Sequence, residues 1–194
     1  MSNSFTAFEG ERCLASGVLA DVACAVKRAE RTSSAPIAIF NDATGRAVDL
    51  DLRGTAEEVA ARYASAITCP AAGLATPAEP RGRGRPKLGV VAREVTLLPR
   101  HWEWLNAQPG GASVALRKLV EQARRANGDA DRQRAARDAA YHFMSAMAGN
   151  LPDFEEAARA LFADDRRAFV ARLAAWPADI RDHVIKLAYA DRAE

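Results

Sequence analysis

The stretch from Thr68 to Gly89, rich in proline, glycine and alanine, most constrains this chain. Such a composition reads as a linker, so the segments on its two sides are expected to fold apart. The linker ends in a cationic arm. Arg81, Arg83, Arg85 and Lys87 alternate with Gly82, Gly84 and Pro86, with no carboxylate among them. The glycines leave the backbone open and thin. Pro86 fixes its own φ and pushes Arg85 towards an extended conformation. A narrow, extended, cationic strand suits the minor groove of A·T-rich DNA, which is tight and strongly negative. That groove separates A·T from G·C and little else.

The core Arg83-Gly84-Arg85-Pro86 resembles the AT-hook, a short minor-groove binding motif. The resemblance implies that the Arg-Gly-Arg part lies in the groove. Arg81, Arg83, Gly84, Arg85, Pro86 and Lys87 are therefore the candidate DNA contacts of the arm.

Directly after the arm, Val91, Val95 and Leu97 alternate with Ala92, Glu94 and Thr96, which is the period of a strand. Leu98-Pro99 ends it, and Pro99 suits the first turn of a helix carrying Trp102 and Leu105. Pro109-Gly110-Gly111 is a strong break. Ser113 is the expected N-cap of a second helix with Leu116, Leu119, Val120 and Ala123 at helical spacing. Asn127-Gly128-Asp129 is expected to close that helix.

Strand, helix, glycine turn and helix within about 35 residues resemble the ribbon-helix-helix family of DNA-binding proteins. The residues carrying the likeness are Val95-Thr96-Leu97, Trp102 to Leu105, Gly111 to Val114 and the stripe of Leu116, Leu119 and Val120. The resemblance implies a homodimer in which residues 91–97 of two copies pair as an antiparallel ribbon in the major groove. Carried over residue by residue, Ala92, Glu94 and Thr96 face the groove, and Gly111, Ala112 and Ser113 hold a phosphate at the helix N-terminus. Two positions depart from the family pattern. Glu94 aims an anion at a polyanion, and Arg93 stands where an apolar residue is usual.

The charge distribution agrees with this placement. Net charge is only +2, but residues 80–127 hold 10 Lys/Arg and 3 Asp/Glu, a local +7. Residues 1–79 hold 7 and 10, and residues 128–194 hold 10 and 12. The excess sits where a nucleic-acid footprint is expected. Cys13, Cys24 and Cys69 share no metal or redox spacing and read as reduced thiols of a cytoplasmic protein, nucleoid-associated if it binds DNA. No signal peptide and no bilayer-spanning apolar run is apparent, so no membrane partner is expected. His101, His142 and His183 are scattered over separate elements, and no nucleophile elbow, phosphate loop or metal motif occurs. The expectation is a protein that is not an enzyme and needs neither cofactor nor metal.

Residues 1–68 read as a small ββαββα unit: strands at Phe5 to Phe8 and Arg12 to Ser16, a helix from Val18, strands at Ile37 to Phe40 and Ala47 to Leu50, and a last helix. Thr55 with Glu58 makes a capping box for that helix, which is expected to reach about Ile67. Asp42, Asp49 and Asp51 read as turn and solvent-face carboxylates rather than as metal ligands. Residues 128–194 read as an all-α domain of short antiparallel helices, one with a stripe of Ala136, Ala140, Phe143, Met144 and Met147, others opening at Asp153 and Asp164. The expected fold is therefore α+β, in four parts: 1–68, a linker and arm at 69–89, a ribbon-helix-helix-like module at 90–127, and helices at 128–194.

The whole chain also resembles a bacterial family catalogued as domain of unknown function 2239. The stretches GRGRPKLGVVAREVTLLPRHWEWL, PGGASVALRKLV, FNDATGRAVDLDLRG and EEAARALFADD carry that likeness. It implies no known activity. The functional expectation thus rests on the centre: a homodimeric, sequence- or A·T-preferring DNA-binding regulator of transcription or of the nucleoid. The alternative is an antitoxin-like adaptor whose ribbon only dimerises and whose C-terminal helices hold a protein partner.

Overall fold

The computed structural model describes residues 4–33, 35–64 and 91–189. The arm, including Arg81 to Lys87, and Cys69 lie outside the described residues. The described chain is mixed α+β. Its elements are β1 (Phe5–Glu9), β2 (Arg12–Gly17), α1 (Leu19–Ala29), β3 (Ile37–Asn41), β4 (Arg46–Ala47), α2 (Ala56–Ala64), α3 (Pro99–Asn106), α4 (Gly111–Met147), α5 (Phe154–Phe162), α6 (Arg166–Arg172) and α7 (Ala178–Tyr189). They fall into two compact units. One joins the N-terminal residues to those from Asp129 onward, and the other runs from Pro70 to Gly128.

The first unit is built on an antiparallel sheet of order β2-β1-β3-β4. The central strand β1 is buried on both faces, because side chains alternate across a strand and each face meets a helical layer. Phe5 and Ala7 point with Ile39 into a cluster that holds Val22 and Val26 of α1. α2 lies against α1, with Val59 fully buried. Phe8 and Phe40 point the other way, into a core shared with Phe143 and Met144 of α4, Leu161 of α5, Phe169 of α6, and Ile180 and Val184 of α7. The result is a sheet between two helical layers. The Trp176 indole N–H closes the α4–α5 connection by donating to the Pro152 carbonyl at 2.8 Å.

Several expected features are formed. The ββαββα order holds over the N-terminal residues. The capping box of α2 is reciprocal: the Thr55 N–H donates to Glu58 Oε2 at 2.9 Å, and the Glu58 N–H to Thr55 Oγ1 at 3.3 Å. Other features differ. The residues expected as two flanking domains, 1–68 and 128–194, share one core, because both faces of β1 and β3 are apolar and the second face needs the C-terminal helices. β4 stops at Ala47, and beyond it only the Val48 N–H still bonds β3, at Ile39. No strand forms over Val91–Leu97. These residues have no regular secondary structure, since a lone strand finds no neighbour to complete its ladder. α4 does not end at Asn127-Gly128-Asp129 but runs for 37 residues. One glycine inside a helix costs only about 1 kcal/mol, and the flanking pairs Asp129–Arg132 and Asp131–Arg134 support the turns after it. Ser113 lies in the first turn of α4, not before it. Asp165, not Asp164, caps α6, its carboxylate accepting from the Ala168 N–H at 2.9 Å.

One close approach fixes the sheet on α4. Gly45, in the turn between β3 and β4, has φ +64°, and a Cβ there would lie 1.8 Å from the Ala139 carbonyl oxygen. Gly45→Ala combines left-handed strain with a clash against a helix backbone, together roughly 2–5 kcal/mol. Its thermal melt, followed by circular dichroism, is expected to fall by about 10 °C. An unchanged melt would contradict this docking.

Candidate functional site

In the second unit, α3 and the part of α4 up to Gly128 stand where the two helices were expected. Leu105 and Ala115 are buried, but most of the apolar positions are not. Val91 is 71% exposed, Trp104 53% and Val120 59%, and Val95, Leu98 and Leu119 are exposed as well. Of the ten exposed large apolar side chains among the described residues, these six fall between residues 91 and 120. The candidate groove-facing residues Ala92, Glu94 and Thr96 are all exposed. At the start of α4, Gly111 and Ala112 are half-buried and Ser113 is exposed, and backbone N–H groups of the first turn lack partners within the helix. The Gly111 N–H already donates to the Gln108 carbonyl at 2.9 Å, which leaves the N–H groups of Ala112 and Ser113 as the ones suited to an anion. Gly110, at φ +88°, packs on Val114, where a Cβ would come within 3.1 Å. The structure thus brings 111–113 together at one helix end and leaves 92–96 in an irregular segment. The arm residues 81–87 lie outside the described residues.

A second constellation lies in the first unit and was not legible as a site. The Asp42 side chain, only 7% exposed, stands in the turn after β3. Its Oδ2 accepts from Ser4 Oγ at 2.9 Å and from Lys186 Nζ at 3.3 Å. Its Oδ1 accepts from Thr6 Oγ1 at 2.9 Å. Thr6 Oγ1 lies 3.0 Å from Ser16 Oγ, and since Thr6 donates to Asp42, Ser16 is the donor in that bond. His183 Nε2 lies 3.6 Å from Asp42 Oδ1, beyond hydrogen-bond reach, with the ring edge-on to Phe8 and Phe143. The order is hydroxyl, hydroxyl, carboxylate, imidazole. No imidazole faces a hydroxyl, so the arrangement ties β1, β2, the turn and α7 together rather than activating a nucleophile.

His142 of α4 holds the same turn. Arg46 can only donate, so its bond to His142 Nε2 at 3.3 Å makes Nε2 the acceptor. Nδ1 then carries the proton that goes to the Thr44 carbonyl at 3.1 Å. Elsewhere, a cleft of about 470 Å³ between α1, β3 and residues 47–52 is lined by Val26, Ile37, Ile39 and Val48 with Glu30 and Asp49, and by no histidine or cysteine. Among the described residues no group of three or more His, Cys, Asp or Glu is placed to hold a metal ion. Burial, and next the Asp179 carboxylate, push the Cys13 thiol up, away from a reactive thiolate.

Burial lowers the pKa of His183 to about 4, against the opposing pull of Asp42 and with the help of Lys186. An unfolded histidine titrates near 6.5. Above that the folded state bears no penalty. As pH falls from about 6.5 to about 4 the unfolded chain takes up a proton that the folded chain refuses, and stability is lost, by roughly 2–3 kcal/mol at the lower end. The drop in melting temperature between pH 7 and pH 4.5 is therefore expected to be smaller in His183→Gln than in the parent. An identical drop in both would show that His183 does not govern it.

No curated protein and no solved structure matches this chain. A family model does, over residues 4–188, which covers both units, the turn at Asp42 and the cationic arm. The chain belongs to that family, described as an uncharacterized protein conserved in bacteria, domain of unknown function 2239.

Proposed function

We propose that the protein is a homodimeric DNA-binding protein, a regulator of transcription or of the nucleoid, that acts through its central module and arm. The observation that carries this is a coincidence in one short segment. Residues 80–127 concentrate ten cations against three carboxylates. The same segment leaves six large apolar side chains in water when the chain is alone. Exposed apolar surface on this scale calls for a partner, and a cationic surface calls for a polyanion.

The ribbon-helix-helix likeness supplies a geometry for both. Two copies pair along 91–97, which completes the ladder that one copy lacks and covers Val91 and Val95. Ala92, Glu94 and Thr96 then face the major groove, with Glu94 suited to accept from cytosine. Ala112 and Ser113 hold a phosphate through their backbone N–H groups, and Gly111, at φ +74°, supplies the turn that presents them. Arg81, Arg83, Arg85 and Lys87, with Gly84 and Pro86, follow the adjacent minor groove.

The adaptor alternative has one observation in its favour. Tyr141, Phe154 and Phe162 gather on the surface of α4 and α5, with Tyr141 and Phe162 rings 5.4 Å apart and Phe162 50% exposed. A protein partner would cover such a patch.

Fluorescence anisotropy of labelled A·T-rich and G·C-rich duplexes across a salt series tests the arm. Arg83→Ala with Arg85→Ala is expected to weaken binding to every sequence and to flatten its salt dependence. Binding as tight as that of the parent at every salt would remove the arm from the interface. Light scattering tests the dimer: the parent is expected as two chains and Val95→Asp as one. A parent that is monomeric at high concentration would contradict the ribbon.

A further inference from the structure

We propose that α4 carries a DNA contact separate from the arm, the ribbon and the helix N-terminus: a four-cation face made of Arg117, Lys118, Arg124 and Arg125 that follows the phosphate backbone of duplex DNA. This rests on the DNA-binding function proposed above. Every residue from Arg117 to Asn127 is exposed, so this stretch of helix carries little packing against the described residues. A helix without packing owes its stability to its own pairs or to a partner.

The spacing sorts the side chains. Arg117 and Arg124 are seven residues apart, as are Lys118 and Arg125, so each pair stacks on one face after two turns. Leu116, Leu119, Val120 and Ala123 fall on the opposite side at 100° per residue. A second copy covering the apolar side would leave the cationic side outward over about 12 Å of helix. Glu121 is the one carboxylate on that side. It pairs with Arg125 at 3.2 Å and Arg124 at 3.8 Å. Both arginine side chains are 79% exposed. Exposed pairs of this kind are worth at most about 1 kcal/mol, so phosphates can replace the carboxylate. The Arg117 Nε–H donates to the Ser113 carbonyl at 3.1 Å, which lays this side chain back along the helix towards its N-terminus. Ser113 itself is at the helix end suited to a phosphate, so the cationic face continues from it.

The test is duplex binding by anisotropy across a salt series, with circular dichroism to show that the helix is kept. Changing Arg117, Lys118, Arg124 and Arg125 together to glutamine is expected to reduce the slope of log affinity against log salt by about two or more. The loss should be equal on A·T-rich and G·C-rich duplexes. Changing Arg117, Arg124 and Arg125 to lysine should retain the parent slope. Arg159→Gln with Arg167→Gln, which lowers net charge on the other unit, should also leave it unchanged. A glutamine variant with the parent slope, or a control pair that flattens the slope as much, would overturn the contact. A parent chain that binds no duplex at low salt would overturn the DNA-binding function itself, and this contact with it.

Discussion

The core between Phe8 and Phe40 of the sheet and Phe143 of α4 is the interaction on which the first unit depends. Phe40 and Phe143 meet edge to face at 4.8 Å, and Phe8 and Phe143 lie 5.2 Å apart. These rings come from opposite ends of the chain. A sheet of four short strands, one of only two residues, cannot bury both faces by itself. The C-terminal helices supply the second cover, and the chain must return to its beginning to deliver them. Everything between Pro70 and Gly128 is thus an excursion from one compact unit.

The turn at Asn41–Arg46 is where that return is fastened. Gly45 lets the backbone touch α4, His142 grips Thr44 and Arg46, and the Asp42 carboxylate collects Ser4, Thr6 and Lys186. A buried carboxylate without such donors would be costly, and with them it selects one way for the layers to meet. His183 adds an apolar-sided imidazole that resists protonation. The polar cluster and the aromatic core occupy neighbouring parts of one interface, so polar register and apolar packing agree on the same docking.

Local signals were legible and distant ones were not. The alternation at Phe5 to Phe8, the turn at Asp42 to Gly45 and the capping box at Thr55 and Glu58 lie within a few residues, and each formed where its pattern stood. The link of Asp42 to Lys186 spans 144 positions, and nothing near either residue announces the other. Gly128 carried a stop signal that the helix-forming residues around it outweighed. Val91 to Leu97 shows why strand period alone is insufficient: alternation gives a segment two faces, but a strand also needs a neighbour for its backbone. For the candidate site, the helices around the Pro109-Gly110-Gly111 break were legible. The Asp42 cluster and the free length of α4 were not, because both arise from what packs on what.

Sedimentation equilibrium of the full chain with a short A·T-rich duplex at low salt is the decisive experiment for a DNA-binding dimer, because it weighs the complex. The expected particle is two chains on one duplex, and two chains without DNA. A single chain that sediments alone in the presence of the duplex would contradict both the dimer and the DNA contact, and would turn attention to the aromatic surface of Tyr141, Phe154 and Phe162 as the place where a protein partner binds.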